Sequence, residues 1–131
     1  MITPERVRAV VDAYVESYRR NDQDACVALF ATDALWHDPV GEPPHAGHAG
    51  VRAFWDQARM LSDAIVLVPR NVIVCANQAV MVFEIEVTIG GGDGSTSTMV
   101  MDAVDVFVVD DDGLIVELRA YWDMTRARTR A

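Results

Sequence analysis

The chain has 131 residues, 51% hydrophobic and 24% charged, the make-up of one ordinary globular domain whose core needs no disulfide staples. Twenty acidic against 11 basic residues leave a net charge of −9. Such a surface repels phosphate backbones and excludes nucleic acid as a partner, whereas an uncharged or weakly polar small molecule suits it.

The expected first element is a helix from Thr3 to about Arg20, with Thr3 as N-cap, Pro4 in the first turn and Glu5 complementing the dipole. Val7, Val10, Val11, Tyr14, Val15 and Tyr18 recur at helical spacing, which puts Tyr14 on the buried stripe. Asp22 caps a second short helix carrying Cys26, Val27, Leu29 and Phe30. A short strand from Ala34 to Asp38 follows and is stopped by Pro39. The Pro-, Gly- and His-rich stretch from Pro39 to Gly50 reads as a loop, and a third helix runs from about Gly50 to Leu61, with Val51, Phe54, Trp55, Ala58 and Leu61 on one face.

Sheet makes up the remainder. Residues 64 to 75 form an apolar strand bent at Pro69, and residues 79 to 89 alternate cleanly, with Met81, Phe83, Ile85 and Val87 on one face. After a turn at Gly90 to Gly94, a long strand runs from about Thr96 to Val109, and Asp112-Gly113 signals a hairpin into a last strand, Leu114 to Asp123. Helices first and an antiparallel meander afterwards define an α+β domain, a curved sheet with three helices packed on it and an apolar, conical pocket open at one end. Arg126, Arg128 and Arg130 read as a solvated, frayed terminus. Cys26 and Cys75 read as small core residues, without a C-x-x-C or zinc spacing. No apolar run reaches membrane-spanning length and the charged amphipathic start is not a leader, so the expected setting is the reducing cytoplasm, away from membranes.

Asp105 is the most informative position. Its neighbours on the same strand face are Met99, Met101, Ala103, Phe107 and Val109. A two-residue hairpin loop pairs 111 with 114 and thereby sets Asp105 opposite Ala120, while Arg119 points to the other face. A buried carboxyl without a cation stays protonated, and then donates a hydrogen bond that an ionised one cannot. The competing reading is a structural aspartate satisfied by backbone N–H groups, or by Arg119 after a one-residue slip. Asp38, at a strand end beside Trp36, has both an apolar neighbour and access to water, so it can remain ionised and act as a base; equally, Asp-Pro opens many loops. Tyr14 carries a hydroxyl that needs a partner in the core and gains meaning only together with the two acids. Phe30, Trp55 and Trp122, with Met101 and Phe107 on the Asp105 strand, are the large apolar side chains expected to line a pocket for a flat substrate, core packing being the alternative. His37, His45 and His48 read as exposed loop histidines rather than metal ligands.

The stretches TPERVRAVVDAYV through Tyr14, VALFATDALWHDPVG around Asp38, MDAVDVF around Asp105 and LRAYW near the end resemble bacterial ketosteroid isomerases, in order and over nearly the whole chain. The resemblance implies an α+β cone of the nuclear-transport-factor-like type, including SnoaL-like proteins, and a homodimer. By position it implies that Tyr14 is an oxyanion-hole tyrosine, Asp38 the general base and Asp105 a protonated acid. A carboxylic acid kept neutral by an apolar site is well known in that family, so this role is not peculiar to the present chain. The implied activity is a steroid Δ-isomerase acting on a small apolar ketone without metal or organic cofactor. Where some members carry supporting tyrosines this chain has Phe30 and Trp55. Two rivals stay open: another enzyme on the same scaffold, such as a polyketide cyclase or epoxide hydrolase, and a non-catalytic module for ligand binding or dimerisation. Val100, Val104, Val106 and Val108 on the outer sheet face are the expected partner surface.

Overall fold

The computed structural model describes residues 1–130. Helix α1 (Pro4–Arg19) begins where Thr3 Oγ1 accepts from the Arg6 N–H, and it buries Val7, Val10, Val11, Tyr14 and Tyr18 on one stripe. A five-residue turn of helix, α2 (Gln23–Val27), is capped by Asp22 and buries Cys26 and Val27. Strand β1 (Phe30–His37) starts four residues earlier than the sequence pattern predicts, so Phe30 belongs to a strand, not to the second helix. Its start is set by a tertiary bond, Ile115 N–H to Leu29 C=O at 2.8 Å, which no local pattern announces.

The expected loop after Pro39 contains structure. A two-residue strand β2 (His45–Ala46) pairs with β1 through Leu35 and Trp36, and helix α3 (Gly47–Leu61) starts three residues before its predicted position. Glycine is required in this turn: a Cβ on Gly50 would sit 2.7 Å from the His45 backbone. The histidines here are half-buried rather than exposed. His48 Nε2 bonds the Phe30 carbonyl at 2.7 Å, and His45 packs edge-on against Trp36 and Phe54.

Strands β3 (Ala64–Cys75), β4 (Gln78–Gly90), β5 (Thr96–Val109) and β6 (Ile115–Trp122) form the meander, and the full order is β2-β1-β6-β5-β4-β3. The β3–β4 register shifts between Pro69 and Asn71, where Pro69 cannot donate to the ladder. The sheet is curved and unclosed, and α1 lies across β3 and β4 on its inner side. One pairing lay outside the expected antiparallel pattern: β1 runs parallel to β6, with Trp36 beside Leu118 and His37 beside Arg119. Cys26 is buried as expected, whereas Cys75 is exposed at the end of β3; both are free thiols.

Asp105 does pair with Ala120, but by a longer route than predicted. The turn closes from Asp110 to Leu114, with Val109 opposite Ile115, so its loop has one residue more than expected. An extra residue at Val116 on β6 then restores the pairing of Phe107 with Leu118 and of Asp105 with Ala120. Beyond β6 the chain turns through a 3-10 segment (Met124–Arg126) and returns as β7 (Arg128–Arg130), pairing with β5 at Thr98 to Val100. The terminal arginines are therefore not frayed. Arg128 pairs with Glu84 and Arg130 with Glu86 at 3.0 Å, reaching past β5 to β4. Val100, expected on an open outer face, is buried next to this strand.

Candidate active site

The strand ladders deliver two acids to one place. Strand β6 lies between β1 and β5, so a residue following β1 and a residue on β5 flank the same β6 position. Asp105 is paired with Ala120 on one side, and Asp38 emerges beside it on the other, where Val40 N–H bonds the Ala120 carbonyl at 2.9 Å. With strands about 4.8 Å apart, the two backbones stand about 10 Å from each other. Ala120, the residue between them, has the smallest side chain that still marks a face, so the space over it stays open.

That space is a chamber of about 130 Å³ lined by Tyr14, Tyr18, Asp38, Asp105, Met101 and Trp122, with apolar side chains from α3, β3 and β4 closing its walls. It opens into a vestibule of about 420 Å³ that shares Asp38, Phe54, Met101 and Trp122 and is bordered by Glu42, His45, Leu61 and Met124. The vestibule falls within the range of small-molecule pockets, about 300–1,000 Å³, with the chamber as its narrow inner end. Leu61, predicted to face the core, stands 70% exposed at this mouth instead.

The environments of the acids differ. Asp105 is 2% exposed, between Met81 on β4 and Ala120 on β6, and its Oδ1 has no hydrogen-bond partner among the described residues. Arg119 faces the other way and pairs with Glu117. Burial lifts the Asp105 carboxyl well above the ordinary carboxylate range, and the charge of Asp38 adds in the same direction. Asp38 is half-buried and accepts a hydrogen bond of 2.7 Å from the Trp122 indole N–H. Burial raises its carboxyl to about 6; the Trp122 bond and the nearby Trp36 N–H pull it down, and Glu42 pushes it up. Both carboxyls are thus pushed up, Asp105 further than Asp38. That separation is what general acid–base chemistry on a single substrate requires.

Tyr14 approaches from α1. It is 2% exposed, with its ring edge-on to Phe107 at 5.3 Å and to Trp36 at 6.3 Å, and its hydroxyl lies 3.1 Å from that of Tyr18. Burial keeps its phenol well above the ordinary value, and the charge of Asp38 adds in the same direction, so it is a neutral donor. The structure thus brings Tyr14, Asp38, Asp105, Met101 and Trp122 together. It does not bring the other three expected lining residues to the chamber. Phe30 and Phe107 lie behind Tyr14 as its packing partners, because each is on a fully buried strand position. Trp55 stacks on Tyr18 at 4.8 Å and borders a separate small cleft beneath Arg59. Sequence reasoning missed Tyr18 as a polar member of the site, although its position four residues after Tyr14 was the available signal.

Residues 11–118 match the SnoaL-like domain family. A steroid Δ-isomerase of Nocardioides simplex is 30% identical over 116 residues, spanning 88% of this chain and 89% of that protein. Among solved structures, the Δ5-3-ketosteroid isomerase from a Mycobacterium species superposes with a TM-score of 0.82 at 23% identity, covering 98% of this chain and 100% of the other. An epoxide hydrolase/cyclase-like enzyme of pyran ring formation in salinomycin superposes with the same score of 0.82 at 24% identity, over 96% and 97% of the two chains. These two likenesses concern the fold; the family match rests on sequence through both acids and spans α1 to β6. The chain belongs to the SnoaL-like domain family, and steroid Δ-isomerase is among its relatives.

Proposed function

We propose that the chamber takes a 3-oxo-Δ5 steroid, or a ketone of similar shape, and shifts its double bond into conjugation. The Asp38 carboxylate removes a proton from the carbon between the carbonyl and the double bond, and the electron pair of that C–H bond delocalises onto the carbonyl oxygen as a dienolate. The Tyr14 hydroxyl and the neutral Asp105 carboxyl donate hydrogen bonds to that oxygen as charge develops. The protonated Asp38 then returns the proton two carbons away on the same face, which restores the carboxylate and leaves a conjugated ketone. No metal or organic cofactor takes part in these steps.

One observation carries the reading: two carboxyls flank Ala120 in the same apolar chamber, and their surroundings push their proton affinities apart. A hydrolase or cyclase mechanism that activates water between acids bridged by an arginine finds less support, since Arg119 pairs with Glu117 on the far face. The relative from Nocardioides simplex supports a steroid as the substrate. A homodimer through the outer sheet face, where Val82 and Tyr121 are exposed, accompanies the proposal.

The test is direct. Mixed with a Δ5-3-ketosteroid, the protein should generate the conjugated-enone absorbance. Asp38→Asn should lower turnover by about 10³-fold or more while keeping affinity for a phenolic enol mimic. Near-normal turnover in that variant rejects Asp38 as the base, and no absorbance change with the wild type rejects the reaction.

A further inference from the structure

The Tyr14 hydroxyl has one proton to give. If it donates to the substrate oxygen, its own oxygen must accept from elsewhere or remain without a partner in an apolar chamber. Among the described residues, the side-chain group within hydrogen-bond distance of it is the Tyr18 hydroxyl, at 3.1 Å. The two rings lie edge to face, 5.1 Å apart, because positions i and i+4 of one helix stand one above the other.

Tyr18 is 8% exposed and, among the described residues, its hydroxyl has no second partner. It is therefore free to turn its proton toward Tyr14 when Tyr14 donates outward. Its ring is held from the other side by Trp55, whose face is covered in turn by the Arg59 guanidinium at 5.4 Å. A row of four side chains thus runs from the surface of α3 to the chamber. Among the described residues, neither Phe30, which packs edge-on to Tyr14, nor the unpartnered Trp55 indole N–H bonds the Tyr14 hydroxyl.

We infer that Tyr18 is the positioning residue of this site, donating its hydroxyl proton to Tyr14 so that Tyr14 is aimed at the substrate oxygen and better stabilises its charge. A donor chain of two hydroxyls polarises cooperatively, so each bond strengthens as negative charge grows on the oxygen at its end. The role rests on the proposed isomerisation, but the coupling between the two hydroxyls exists without it.

The experiment is a double-mutant cycle with Tyr14→Phe and Tyr18→Phe, read by kcat and KM on a Δ5-3-ketosteroid. Tyr18→Phe should lower kcat about 10-fold with KM changed less than about twofold, the loss of one cooperative bond. In the Tyr14→Phe background the same change should cost less than about twofold. Equal losses in both backgrounds mean that Tyr18 only packs, and a loss larger than that of Tyr14→Phe means that Tyr18 itself meets the substrate; either result overturns the inference. A second, ligand-free measurement separates it from the reaction. With 3-fluorotyrosine at position 14, the fluorine resonance should report ionisation at a higher pH in Tyr18→Phe than in the parent. An unmoved titration overturns the coupling, whereas a moved titration in a protein inactive on ketosteroids upholds the coupling and rejects the isomerase reading alone.

Discussion

Replacing Trp122 by Phe tests how the base is tuned. The substitution removes the indole N–H that donates to Asp38 Oδ1 at 2.7 Å and keeps an aromatic ring in the chamber wall. A hydrogen bond to an ionised group contributes about 1.5–3 kcal/mol. Trp122 is only half-buried, so the lower end applies, and at 1.36 kcal/mol per unit this amounts to about one pKa unit. The Asp38 carboxyl, now at about 6, should move to about 7. At pH 6.5 the ionised fraction then drops from about three-quarters to about one-quarter, a roughly threefold loss of kcat/KM, while near pH 9 the loss vanishes. The assay is kcat/KM for enone formation from pH 4.5 to 9, whose acidic limb reports the free enzyme's base. A limb that stays near 6 while the whole profile falls uniformly would show that Trp122 acts by packing and not as a donor.

If Asp105 is a neutral donor, Asp105→Ala should lower kcat by about 10²-fold, whereas Asp105→Asn, which retains an N–H donor of similar size, should stay within about 10-fold of the parent; equal losses would contradict the donor role. Asp38→Asn should also stabilise the fold. The folded carboxyl at about 6 lies above its ordinary value of 3.8, so the folded state holds this proton more tightly than the unfolded chain. Its contribution to stability is complete below pH 4 and declines as pH rises through 6. Allowing for partial solvent screening of a half-buried group, the asparagine variant should be about 2 kcal/mol more stable than the parent at pH 7 and show no advantage near pH 4. Urea unfolding at the two pH values measures this, and a variant without a pH-dependent gain would place the Asp38 carboxyl near its ordinary value.

Local signals in the sequence sufficed for α1, where cap, proline and a 3.6-residue apolar period agree, and for the alternation that turns Asp105 inward and Arg119 outward. They failed wherever a distant partner decides. Strand β1 begins at Phe30 because it docks beside β6, more than 80 residues on, and a parallel pairing leaves no turn signature between its strands. The glycines at the start of α3 suggest a loop, yet Gly50 admits the close pass over His45 that lets β2 and α3 form. The terminal arginines looked like a solvated tail because their carboxylate partners, Glu84 and Glu86, belong to another strand. At the site, the two acids and Tyr14 were legible as an acid on an apolar strand, a carboxylate at a strand end and a hydroxyl on a buried stripe. Phe30, Trp55 and Phe107 were assigned to the substrate because size and apolarity do not distinguish a wall from the layer behind it. Only the packing of Tyr14 against Phe30 and Phe107 makes that distinction.

The single surplus residue at Val116 has a consequence for how this chain can change. Side chains alternate along β6, so the turn at Asp110 to Leu114 and the bulge beside it act together as a parity setting for everything downstream. Deleting Val116 itself would leave the pairing intact, whereas gaining one further residue after the bulge, with no second bulge to absorb it, would pair Asp105 with Arg119 in place of Ala120. A neutral proton donor would become an ion pair in one mutational step, and the hydrophobic chamber would gain the arginine that water-activating chemistry needs. Reaction class on this scaffold can therefore turn on the length of one hairpin.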